Sequence, residues 1–183
     1  MAKPAKDLFG NLVLGVSDSA GNFSASRHGL GPKVLALNRN AAQHVHGVGM
    51  QFAALSTASR VPGIIRGAGL RYFQISVGSE VSCIVNPSVC WVANRRTIWA
   101  HLLLKHDGNI SIANEELALY RDDDMDSEMH YSIWTDLHGL LGASLPILAK
   151  EGTVAARRAG VRAGTLTYLW ADVVANALYA EFT

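Results

Sequence analysis

The sequence predicts an α+β fold: an antiparallel β-sheet with an N-terminal hairpin, covered on one side by C-terminal helices. Three observations predict it. The first 104 residues carry short β-branched and aromatic runs separated by turn residues. Residues 129–141 and 166–178 instead place apolar side chains three and four apart, the period of a helix. Strands first and helices after is the order of a sheet with its helices gathered on one face. The chain has 183 residues, enough for one domain (1–183) with a sizeable core.

Residues 8–16, LFGNLVLGV, read as a strand with Leu12, Leu14 and Val16 on one face, and Phe23–Ser26 as its return after the turn cluster 17–22. Lys33–Leu37 reads as a further short strand, and 38–60 as irregular structure with one short helix or strand. Leu70–Val77 is enriched in β-branched and aromatic residues. The central stretch, 80–104, reads as strand, loop, strand. Val81–Val85 is broken by Asn86-Pro87, since proline has no N–H for a ladder. In the second run Ile98, Ala100, Leu102 and Leu104 alternate with Thr97, Trp99, His101 and Leu103, so one face is purely apolar and the other carries a ring and an imidazole. After Lys105 come the turn 106–109, a short helix over 114–120 and the acidic run 122–126. An amphipathic helix through Met129, Ile133, Trp134, Leu137, Leu140 and Leu141 follows, capped by Asp126 or Ser127. Gly142 is expected to end or bend it, and Pro146 to open the next piece. Leu166, Leu169, Trp170, Val173, Val174, Ala177 and Leu178 mark the last helix.

Composition excludes several function classes. The formal net charge of +1 exerts no overall pull on nucleic acid, so any such contact depends on local placement. Only 17% of residues are charged, which fits a subunit whose surface is partly covered in an assembly. No apolar run reaches the length of a membrane span. MAKPAKDLFG has no apolar h-region, so no signal peptide is expected, and the two cysteines are expected reduced in a cytoplasm. There is no G-x-S-x-G, P-loop or G-x-G-x-x-G pattern, and no cofactor is expected. Asp122, Asp124 and Asp126 resemble the start of a calcium loop, but Ser127 and Ile133 stand where glycine and glutamate are required.

Three segments, Ile84–Cys90, Arg96–Leu104 and Thr135–Leu141 with the small residues and Pro146 that follow, resemble the coat proteins of single-stranded RNA bacteriophages in residue type, order and spacing. The resemblance implies a sheet over 8–104, helices over 127–150, an insertion over 107–126 and a C-terminal helical extension over 152–183. It also implies an intertwined dimer joined edge to edge, assembly into an icosahedral shell, and genomic RNA bound on the inner sheet face. The expected partners are the chain itself and viral single-stranded RNA, without a membrane. The expected location is the virion, assembled in the host bacterial cytoplasm.

On that resemblance Trp99 and His101 take the inward strand positions that contact RNA, where a flat ring stacks on a splayed base. Packing of Trp99 against a neighbouring strand is the alternative its residue type leaves open. Arg95 and Arg96 are candidates for phosphate contact, with a solvated loop charge or an intersubunit salt bridge as the alternative, and Arg71 and Gln74 are weaker candidates of the same kind. Cys90, Trp91 and Asn94 would line the inter-subunit loop. Cys90 matches the position of inter-dimer disulfides, while Cys83 reads as a buried free thiol. The rival reading is a small cytoplasmic enzyme or metal-binding protein. It would use His44 and His46, paired on one face of a strand, with His101, His130 or His138.

Overall fold

The computed structural model describes residues 30–120 and 132–183. The described residues are mostly helical, with no strand or sheet among them. The antiparallel sheet is therefore corrected to an all-α arrangement, and with it the sheet edge through which two chains would intertwine. The expected hairpin at 8–26 lies outside the described residues, as do the acidic run 122–126 and His130.

The first helices are short and tied at their ends. Helix α1 (Leu30–Leu37) stands where a strand over 33–37 was expected. Asn38 closes it. Its Nδ2 donates to the carbonyls of Val34 and Arg71, and its Oδ1 accepts from the Arg71 N–H. Helix α2 (Ala41–Ala53) buries Ala41, Val45, Val48 and Phe52, a row at helical spacing. Helix α3 (Val61–Ala68) starts with Pro62 in its first turn and ends on Gly69 at φ 60°, a left-handed cap that glycine adopts without strain.

Helix α4 (Ile75–Val85) lies at the centre, packed against α2, α3 and α8 (Thr167–Phe182). Nine of its eleven residues, Ile75 to Cys83, are buried. Gly78 permits its close approach to α3, because a Cβ there would sit 2.5 Å from Ile65 Cδ1. Asn86-Pro87 does break the chain, but what it ends is a helix. Asn86 also donates to the carbonyls of Phe52 and Leu55, fastening α4 to the end of α2.

The second expected strand is helix α5 (Arg95–Lys105). Asn94 and Thr97 form a reciprocal capping box: Asn94 Oδ1 accepts from the Arg96 and Thr97 N–H groups, and Thr97 Oγ1 accepts from the Asn94 N–H. Helix α6 (Ile110–Leu119), capped by Asn109, occupies the expected insertion. Helix α7 (Ser132–Arg158) runs 27 residues straight through Gly142 and Pro146, neither of which ends it. Gly142 gives room to the Trp91 ring, which a Cβ would meet at 2.8 Å. The expected C-terminal extension is the end of α7 followed by α8. Helix α8 packs against α7, α5 and α4, and so belongs to the core.

Candidate functional site

Two features are candidates for function: a polar network inside the helices and an apolar row outside them.

The network sits where α4, α5 and α8 meet. Asn94, at the α5 cap, donates through Nδ2 to Glu80 Oε1 at 3.0 Å. Glu80 is 2% exposed, midway along the buried helix α4. Ser79 Oγ accepts from the Ala93 N–H at 2.8 Å and donates to the Ser76 carbonyl. Across from them Asp172 of α8 is hydrogen-bonded by Asn94 and Asn176, and the guanidinium of Arg96 donates to Asn176. Burial pushes the Asp172 carboxyl up to about 7, against the pull of Arg96 and the two asparagines. Burial also pushes the Cys83 thiol far up, helped by the nearby charge of Asp172. These are groups with catalytic chemistry, but they are sealed. Two surface depressions, one around Gln51, Arg60, Gly63 and Gly67 and one around Gly164, Leu166 and Val173, share no lining residue with the network. Buried polar groups that hydrogen-bond one another fix the crossing of helices, and here Asp172 Oδ1 is buried without a hydrogen-bond partner.

The expected RNA-contact residues do not share a face. Trp99 is fully buried, its Nε1 donating to Asn114 Oδ1 at 2.7 Å and its ring edge-on to Tyr179. It has no free face for a base. His101 is half-buried and hydrogen-bonded to Ser144 at 2.6 Å, and burial lowers its pKa. Arg95 and Arg96 form the first turn of α5, half-buried against the helices. Arg71 is exposed on the turn before α4 with its guanidinium over the Tyr72 ring, and Gln74 precedes the first residue of α4.

The expected inter-subunit loop turns inward. Cys90 is completely buried within this chain and, like Cys83, carries a free thiol. Trp91 stacks on His138 and donates from Nε1 to the His138 carbonyl at 2.8 Å. Asn94 is the α5 cap already described.

The histidines of the rival reading are dispersed. His44 and His46 lie two apart on helix α2, where that spacing sends side chains to opposite sides. His138 is buried on α7, and burial brings it down to about 4. Among the described residues no three His, Cys, Asp or Glu side chains converge as a metal site. A further ionic cluster forms at the α5–α6 turn, where Glu116 accepts from Lys105 at 2.6 Å, from His106 at 2.5 Å and from Tyr120.

The outer row is apolar surface left exposed on α7. The inner face of α7 buries Trp134, Leu137, Leu141, Leu145, Leu148 and Ala149. Its outer face carries Ile133, Leu140 and Ile147, 37%, 54% and 53% exposed, spaced seven apart, with Val154 one heptad further on and half-buried. A helix that is apolar on both faces is expected to be covered on both. Val173 and Phe182 on α8 and Leu119 on α6 add exposed apolar surface elsewhere. The inner and outer rows overlap in the sequence, where Ile133 and Leu140 read as members of the core stripe.

No family model matches this sequence, and no curated protein or solved structure matches it significantly.

Proposed function

We propose that this chain is a self-associating structural subunit and not an enzyme. The observation that supports the reading best is the apolar row on the solvent side of α7, since monomeric proteins seldom leave such a row uncovered along a long helix. The burial of the Glu80–Asn94–Asp172 network points the same way: its acids lie between helices and line neither of the two surface depressions described above. The finer form of the reading is a coat subunit of a single-stranded RNA phage, carried in the virion and assembled in a bacterial cytoplasm. It is supported by the sequence segments 84–90, 96–104 and 135–141 alone. One experiment tests both levels. Sedimentation velocity of the purified chain over a hundredfold range of concentration is expected to give species larger than the monomer. A monomer at every concentration overturns the subunit reading. Megadalton particles carrying nuclease-protected RNA support the coat form, and small RNA-free oligomers overturn it.

A further inference from the structure

Resting on the self-association reading, we infer that the outer row of α7 is a two-fold interface at which a second copy of this chain lies antiparallel, with the axis beside Ala143.

The argument is one of register and charge. On the outward face, Asp136, Leu140, Ala143, Ile147 and Lys150 follow one another at three- and four-residue steps. Asp136 and Lys150 are exposed and stand seven residues to either side of Ala143. A two-fold axis perpendicular to the helix at Ala143 sets residue 143−k against residue 143+k of the other copy. Asp136 then faces the opposite copy's Lys150, twice over. Leu140 falls opposite Pro146 and Ile147 opposite Gly139, so each copy's Leu140 lies one residue from the other copy's Ile147, and Ile133 falls opposite Thr153, next to Val154. Ala143 crosses its own counterpart, where a small side chain lets the backbones approach. Gly139, on the same face and open around its Cα, adds to that room. The parallel arrangement sets Asp136 against Asp136 and Lys150 against Lys150, like charges at both ends. Charge complementarity therefore selects both the occupant and its direction.

Cross-linking reads the geometry directly, because both native thiols are buried. In the full chain, Ala143→Cys is expected to form a disulfide-linked dimer under mild oxidation. Asp136→Cys is expected to remain monomeric on a non-reducing gel, since antiparallel copies separate those positions by about 21 Å at 1.5 Å per residue. Charge reversal reads the energetics. Asp136→Lys or Lys150→Asp alone is expected to weaken self-association at least tenfold at low salt, and the two together to restore it to within about threefold. Both sites are exposed, and unchanged circular dichroism controls for folding. Cross-linking of both cysteine variants means parallel pairing and overturns the inference. If wild type associates and neither the reversals nor Ala143→Cys responds, this interface is wrong while self-association stands. If wild type is monomeric, both fail. If it associates only after residues 1–29 are removed, that segment is the occupant and the inference is overturned.

Discussion

Trp91 lies face to face with His138, ring centroids 5.1 Å apart and planes 24° from parallel, and both ring nitrogens of that buried imidazole lack a hydrogen bond. The pair joins the loop after α4 to the long helix α7. Burial holds His138 neutral, with its pKa brought down to about 4. The folded state thus binds fewer protons than the unfolded state below the ordinary value of 6.5, and stability falls as pH drops from there toward 4. His138→Phe keeps a ring against Trp91 and removes the titration. The stability lost between pH 8 and pH 5 should shrink by about 1–2 kcal/mol in this variant, measured by urea unfolding at the two pH values. An unchanged difference contradicts the buried neutral imidazole.

Asp172 tilts stability the opposite way. Its carboxyl is raised from 3.8 to about 7, so the folded state holds a proton that the unfolded state has released. Its contribution is fully present below pH 4 and is lost as pH rises to 7. Asp172→Asn should be favoured relative to wild type at pH 8 by about 1–2 kcal/mol more than at pH 5. Between pH 4 and 6.5 the two groups oppose each other, so wild type is expected to show a flatter profile than either variant.

Helix packing predicts contrasting glycine substitutions. A Cβ on Gly152 would collide with the Val174 side chain where α7 meets α8, and Gly152→Ala should cost about 1–3 kcal/mol. Gly47, exposed in α2, has nothing within 4 Å of such a Cβ, and Gly47→Ala should gain about 0.5–1 kcal/mol. Thermal melts of the two variants should shift in opposite directions.

Both thiols are buried, and burial raises the pKa of each. Neither should react with Ellman's reagent in the native chain, and both should titrate once urea removes the helix signal. No cross-linked dimer of the wild-type chain should appear on oxidation. Fast native labelling of either cysteine would contradict the burial described.

Trp99 is a core residue, so Trp99→Ala should cost about 3–5 kcal/mol and lower the unfolding midpoint sharply. A folded, equally stable variant with a selective loss of RNA affinity would instead favour an exposed ring.

What was legible in the sequence follows from which helices keep a wet side. Helices α7 and α8 show their period because polar residues interrupt the apolar ones. Helix α4 is buried from Ile75 to Cys83 and α5 from Thr97 to Ala100, so neither displays a period, and their β-branched content argues for strands. The overlooked signal was the cap. Asn94 followed by Thr97 three residues later marks a helix start, and Val45, Val48 and Phe52 marked α2. The Glu80–Asn94–Asp172 network joins positions far apart in the chain, which no local pattern announces. The outer row of α7 was visible but merged with the inner one, because Ile133 and Leu140 sit next to Trp134 and Leu141.

The contact of α8 with α4 and α5 bears on how the chain is made. Synthesis delivers Glu80 and Asn94 some eighty residues before Asp172 and Asn176 arrive. Until the last helix leaves the ribosome, the middle of the molecule has no lid and its carboxylate faces water. Native folding is therefore completed only once residues 167–182 have emerged, and a chain stopped short of residue 167 is a substrate for chaperones and proteases, not a smaller working version.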